Sequence, residues 1–366
     1  MENKVTFKDI GAIDGHLHMH YWYDKNKNVD FLHGYEEYKE VTGLKAINIA
    51  SLPSGAASTR DVSNNILCAL CKLANDNIYI HGGFIYPEYP LNPEKMQGMD
   101  ILTQYNELME IGFDGIKMLE GKPNLYSLVK YPICGEAYAP FFKQAEKDGT
   151  HILMHVNDPE IFWDKENAPQ YLKDKGWFYG EGDYISNVEM YAQIDTLLES
   201  NPELNLTLAH FFFKSASPEE LEMMFSRYKN LAVDITPGGE MYLGFKKRPE
   251  YFRDFFTKYD ERIVFGTDGD FPTCMPAMEW LCDRIFRFLA TDEEIKSFED
   301  EMIKGIKIPV ESVKKIMGTN FENRVSPTPR SINKEALKRY IEKYKHLIRE
   351  QGAFEIIEKY AKELLY

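Results

Sequence analysis

Ile13-Asp14-Gly15-His16-Leu17-His18-Met19-His20 is the stretch around which the rest of the chain can be read. It sets three histidines at alternate positions directly after a short apolar run, residues 10–13. Successive side chains of a β-strand point to opposite faces. If that run is a strand, His16 and His18 therefore share one face where it ends. Two neutral imidazoles side by side make half of a site for zinc or a similar ion. Taken alone, a His-x-His pair reads equally well as two hydrogen-bonded polar groups of a core, and only the rest of the chain decides between the two.

Seven more apolar runs occur: 44–50 (LKAINIA), 78–86 (IYIHGGFIY), 113–119 (FDGIKML), 151–156 (HILMHV), 204–210 (LNLTLAH), 231–235 (LAVDI) and 263–265 (IVF). Each is bounded by Gly, Pro, Asn or Asp, as strands are. Between them, apolar residues recur every three or four positions over 66–74, 101–109, 141–147, 188–198, 218–228, 251–259 and 278–289. That spacing is the mark of amphipathic helices. Ser217-Pro218-Glu219-Glu220 reads as a helix start, with a capping side chain, a proline at the first position and carboxylates near the positive end. Short buried strands alternating with helices imply a parallel sheet, and a count of eight implies closure into a (β/α)8 TIM barrel. An open doubly wound sheet would carry a glycine-rich phosphate loop after its first strand, where this chain has histidines. The barrel is expected over residues 1–325.

Composition narrows the function. The chain has 366 residues, 44% of them hydrophobic, enough for one large core. A net charge of −15 argues against nucleic acid or an anionic membrane surface as partner. No run approaches a membrane span and the first twenty residues lack the apolar core of a signal peptide. With five cysteines in no regular spacing, the expectation is a cytoplasmic protein with reduced thiols. Cys68 and Cys71 form a CxxC within a helical pattern and read as core packing. Gly121-Lys122 is followed by Pro123 and is no phosphate loop.

The longest connection, 157–187, contains Trp163, Trp177, Phe178, Tyr179 and Tyr184 among several acids. Its length and aromatic content suggest a lid or pocket wall over the barrel, with Trp163 and Trp177 as substrate contacts. Ser326-Pro327-Thr328-Pro329 is a linker, and two helical stripes lie beyond it, at 336–347 and 354–364. Residues 326–366 are thus expected as a helical extension packed on the same chain, with a homo-oligomer built through it as the alternative.

Catalytic groups of such barrels sit at the C-terminal ends of strands. His16 and His18 end the first strand, His155 the fifth, His210 the sixth and Asp268 the eighth. Any one could be structural, but five metal-capable side chains from separate strands converge on one mouth. Lys117, Arg60 and Lys122 fall in connections on the same side and could meet an anionic group.

Here the chain resembles a known family. Ile13-Asp14-Gly15-His16-Leu17-His18, Gly112-Phe113-Asp114-Gly115-Ile116-Lys117, His155 with Asp158-Pro159, Leu208-Ala209-His210 and Phe265-Gly266-Thr267-Asp268 are similar to the signature blocks of the amidohydrolase superfamily. The branch they most resemble is amidohydrolase 2, related to aminocarboxymuconate-semialdehyde decarboxylase. Ile316-Met317-Gly318-Thr319-Asn320, followed by Arg324, resembles that branch's closing helix. The resemblance implies one divalent metal, usually zinc with manganese or iron as options, on His16, His18, His155 and Asp268. His210 is then left to act on substrate. Such an ion makes water nucleophilic near neutral pH, and Asp268 would take and return its proton. Lys117 stands near where two-metal relatives carry a carboxylated lysine, but a single metal is the expectation.

The function expected is hydrolysis of an amide, ester or lactone of a small, anionic organic acid. A metal-dependent non-oxidative decarboxylase or C–C lyase is the alternative. A metal-stabilised binding protein is a third reading, weakened by the presence of both His210 and Asp268.

Overall fold

The computed structural model describes residues 5–19, 34–55, 61–96, 98–271, 275–296 and 301–366. Eight strands run parallel in one sheet: β1 (Ile13–Leu17), β2 (Ala46–Ala50), β3 (Ile78–Gly82), β4 (Gly115–Gly121), β5 (His151–Val156), β6 (Leu206–Leu208), β7 (Leu231–Asp234) and β8 (Ile263–Val264). Every residue of these strands is buried. Helices cover the outer face and side chains fill the inner one, which is why the strands read as short apolar runs rather than alternating ones. The two ends of the sheet meet through backbone hydrogen bonds. Gly15 N–H donates to Phe265 O (3.0 Å), His18 N–H to Gly269 O (2.7 Å) and Phe271 N–H to His18 O (2.7 Å). The fold is the expected (β/α)8 barrel.

The first strand lies further along than its apolar run suggests. Residues Phe7–Asp9 form a single 3₁₀ turn, and β1 then runs through the polar residues Asp14 and His16. It can do so because its polar groups find partners inside: Thr267 Oγ1 donates to Asp14 Oδ2 at 2.5 Å. His16 therefore sits within the strand and His18 one residue beyond it. Helix Pro218–Arg227 begins with its proline as expected, but Ser217 makes no side-chain cap.

Three helices leave no clear periodicity in the sequence: Tyr35–Thr42, Pro123–Val129 and Gly239–Lys247. The first buries only Tyr35, Tyr38 and Thr42 among charged neighbours, so its apolar stripe is thin. After β8 the closing segment Val310–Arg324 contains a π turn at Lys315–Thr319. Such a turn breaks the regular helical ladder, and Ile316 O here accepts from Phe265 N–H (2.9 Å), three residues before Asp268.

Beyond residue 325, Arg330 donates to Phe113 O and Met109 O. Helices Lys334–Tyr344 and Gln351–Leu365 lie on Ser63–Ala74, and the first also on Ile101–Ile111. Asn65 Nδ2 donates to Tyr340 Oη (2.9 Å) and Tyr344 Oη to Glu107 Oε2 (2.8 Å), so the extension is tied to the barrel by polar as well as apolar contacts. No helix among the described residues is long and apolar enough to cross a membrane.

Candidate metal centre

At the C-terminal mouth, β1, β2, β7 and β8 bring three donor groups together. His16, His18 and Asp268 each offer a ligand atom, all within 4.8 Å of one another. The imidazoles are held so that the same nitrogen of each faces the group. His16 Nδ1 is 2.8 Å from Asp234 Oδ2, and His18 Nδ1 is 2.7 Å from Ala50 O. Both partners are acceptors, so each Nδ1 carries the hydrogen and each Nε2 presents a lone pair. Those lone pairs face Asp268 Oδ1, at 3.5 Å from His16 Nε2 and 3.0 Å from His18 Nε2. Two lone pairs and a carboxylate oxygen repel one another, and in this structure the Lys117 ammonium, 2.8 Å from His16 Nε2, is the positive group that meets them. The residues present therefore fit a divalent cation, in the arrangement by which a second partner orients a metal-binding histidine.

Electrostatics agree with that geometry. Burial, then the nearby charge of Lys117, pushes the pKa of His16 down to about 4, so its ring is neutral. Burial alone would raise Asp234, but the hydrogen bonds it accepts, first from His16 Nδ1–H, outweigh it and hold the carboxyl at about 2.

Sequence reading alone does not single out Asp234. It receives His16 Nδ1–H, the His210 backbone N–H (2.7 Å) and the Thr236 N–H (3.1 Å), so one buried carboxylate sets two of the mouth's histidines. The available signal is an aspartate ending a run, Leu231-Ala232-Val233-Asp234, whose other members are apolar.

Most of the other expected residues share one cavity of about 490 Å³ with His18 and Asp268. His210 lies there with Nε2 4.0 Å from Asp268 Oδ2. It begins an unusual turn: His210, Phe211, Phe212 and Phe213 all have φ between 53 and 56°. Each left-handed non-glycine residue costs roughly 1–2 kcal/mol. Packing offsets this, since Phe211 is buried against Phe245, Phe252, Phe255 and Phe256, and Phe213 stacks on His210 at 5.4 Å. Asp268 too has a positive φ, 55°. Strain of this kind gathers at functional sites.

His155 lines the cavity, with its ring 4.9 Å from that of His210, but it stands outside the close trio. Its Nε2 is 2.9 Å from Asn157 O and 3.4 Å from Asp158 Oδ1. Lys117 is fully buried, with Nζ 2.8 Å from His16 Nε2, and burial lowers its pKa to about 8. Lys122 also faces the cavity, but Asp158 holds it at 2.6 and 2.8 Å. Trp177 lines the cavity as expected; Trp163 does not. Its indole N–H donates to Ile185 O (3.1 Å) and its ring packs on Tyr179, inside the 157–187 segment's own small core of Phe162, Leu172, Phe178 and Tyr179. A segment that must bury its own apolar surface leaves fewer aromatics for substrate. Arg60 lies outside the described residues, as do His20 and His33.

No protein-family profile matches the chain, nor does any curated protein. Among solved structures it is similar to an uncharacterized TIM-barrel protein from Bordetella bronchiseptica, at 13% identity over 86% of this chain and 98% of that one, TM-score 0.50. It is also similar to 5-carboxyvanillate decarboxylase from Sphingomonas paucimobilis (11% identity, 86% and 99%, TM-score 0.48). A putative amidohydrolase from Staphylococcus aureus gives 16% identity, 86% and 99%, and TM-score 0.48. At such identities the likeness is one of fold. The first of these structures, at TM-score 0.50, carries the barrel and nothing beyond it.

Proposed function

We propose that this chain is a metal-dependent enzyme of the amidohydrolase superfamily, in its amidohydrolase 2 branch, that hydrolyses an amide, ester or lactone of a small anionic organic acid. The observation that carries the reading is the pair of Nε2 lone pairs aimed at Asp268 Oδ1, each fixed by an acceptor on the opposite nitrogen. His16, His18 and Asp268 would hold one divalent ion, zinc first, with His155 as the fourth member the resemblance implies. When bound, the ion polarises the scissile group and makes water nucleophilic.

The chain's own residues supply the rest. Asp268 takes a proton from the attacking water and returns it to the leaving group. His210, 4.0 Å from Asp268 Oδ2, faces the same space and steadies the oxyanion that develops. Lys117 Nζ now uses the His16 lone pair that an ion would use, and one lone pair cannot serve both. An ammonium released into a buried cavity needs an anion, and a substrate carboxylate provides it. The protein is proposed to act in the cytoplasm.

That ammonium also favours a second reading, non-oxidative decarboxylation. If the carboxylate held by Lys117 is the one that leaves, its C–C bond breaks, CO2 departs and the carbon takes a proton that Asp268 relays from solvent water. Metal analysis and product analysis test both readings. About one zinc, manganese or iron per chain is expected, with ¹⁸O from labelled water in the product for hydrolysis and CO2 release for decarboxylation. Absence of any bound ion after exposure to all three metals would overturn both.

A further inference from the structure

Below the mouth, the barrel interior holds a second pair of histidines that the proposed chemistry does not use. His81 on β3 and His151 on β5 are buried, with His81 Nε2 2.7 Å from His151 Nδ1. They are the middle of a longer row. Asn48 Nδ2 donates to Gly15 O (2.8 Å), and Asn48 Oδ1 is 2.7 Å from His81 Nδ1. At the other end His151 Nε2 is 2.8 Å from Thr207 Oγ1, to which Arg324 Nε donates (3.1 Å). Gly115 leaves the space for this: a Cβ there would lie 2.4 Å from His81 Nε2 and 2.5 Å from His151 O.

The direction of every link is set by the two ends. Gly15 offers a carbonyl, so Asn48 must turn its NH2 to it and its Oδ1 to His81. That oxygen only accepts, so His81 Nδ1 carries the hydrogen. Burial, then the charge of Lys117, lowers the pKa of His81 to about 3, and burial drives that of His151 well down, so both rings are neutral. A neutral ring has one N–H. His81 Nε2 is therefore a lone pair, His151 Nδ1 donates to it, and His151 Nε2 accepts from the Thr207 hydroxyl. Arg324 cannot accept and supplies the Thr207 oxygen. All the protons point one way, from the guanidinium to the carbonyl that precedes His16.

We propose that the one-way row Arg324–Thr207–His151–His81–Asn48 positions the metal-binding strand, fixing the Gly15 carbonyl and thereby seating His16 against Asp234. These are positioning residues; none touches substrate. Hydrogen bonds in such a row polarise one another in a low-dielectric interior, so a break at one end is felt at the other. On the far side of the same peptide, His16 N–H donates to Asp14 Oδ1 (3.1 Å), so the Gly15–His16 unit is gripped from both sides. The proposal rests on reading His16 as a metal ligand.

Ring ¹⁵N shifts of the metal-free wild-type protein give the first test. Both His81 and His151 are expected as the Nδ1–H tautomer, the minor form of free histidine; Nε2–H on either ring overturns the proposal. The second test compares Thr207→Val with Thr207→Ser. Loss of the hydroxyl should move the His16 Nδ1–H proton resonance and weaken zinc binding roughly tenfold, and serine should restore both. If Thr207→Val folds and leaves resonance and affinity as in the wild type, the row is core packing only and the proposal fails. If Thr207→Val does not fold, Asn48→Asp puts the same question, because it keeps the size and removes the donor that holds Gly15 O. Should the His16 resonance move while neither variant nor wild type binds zinc, the metal reading falls and the positioning of His16 stands.

Discussion

Two histidine pairs in one barrel meet different fates. His16 and His18 each give one nitrogen to an acceptor and turn the lone pair of the other toward a carboxylate. His81 and His151, one layer down, spend both nitrogens on neutral partners and on each other. Chemistry therefore depends less on having an imidazole than on what its second nitrogen faces. The interior pair closes on its own partners, and the mouth pair leaves one nitrogen of each ring turned to Asp268.

The comparison can be broken most severely at His16. His16→Asn removes a lone pair from the trio, and the expected result is loss of the ion together with more than ~10³ of activity; metal content after dialysis checks it. If the variant kept its ion, the mouth would not differ from the interior in the way described. Asp268→Asn retains an oxygen beside His18 but removes the base. Turnover should fall by ~10²–10⁴, about 3–5 kcal/mol of transition-state stabilisation, while metal stays near one per chain. Parallel metal and rate measurements would sink this if the two fell together. Asp234→Asn leaves the trio itself intact and alters the group behind it, which holds His16 Nδ1 and the His210 backbone N–H. Its expected cost is ~10–100-fold in metal affinity with the protein still folded, read by competition with a chelating dye. Trp177→Ala should have the smallest effect, a rise in KM of roughly 2–10-fold at nearly constant kcat. A change confined to kcat would place Trp177 in the chemistry rather than in the cavity wall.

The barrel is legible in the sequence because its eight strands are buried on both faces, are mostly apolar and are cut off by Gly, Pro, Asn or Asp. Helix Tyr35–Thr42 is not, since two tyrosines and a threonine among carboxylates make a weak stripe. His16, His18 and Asp268 are legible from their place at strand ends, and the structure brings them together. What the chain order hides is the partner across the barrel. Asp234 is separated from His16 by 218 positions, and nothing near either residue announces the pairing. Trp163 shows the opposite error, in which an aromatic side chain is given to substrate while the segment around it needs a core of its own. His81 and His151 fall in the third and fifth runs without any local feature that separates them from the mouth histidines. Their difference is one of depth, and depth is set by strand register.

The 157–187 segment supplies residues to one wall of the cavity. Its core of Phe162, Leu172, Phe178 and Tyr179 is separate from the main apolar cluster. One buried polar tie is the Tyr179 hydroxyl, which donates to Asp158 at 2.7 Å. A unit with its own small core opens with its own, lower free energy rather than with that of the whole molecule. Amide hydrogens across 160–180 should therefore exchange as a cooperative group well before those of β4 and β5, at a rate that Tyr179→Phe increases and that strand amides do not share. Exchange of the segment only in step with β5 would mean instead that it opens with the barrel as a single unit. Early exchange would mean that this wall of the cavity opens by itself while the barrel beneath stays intact.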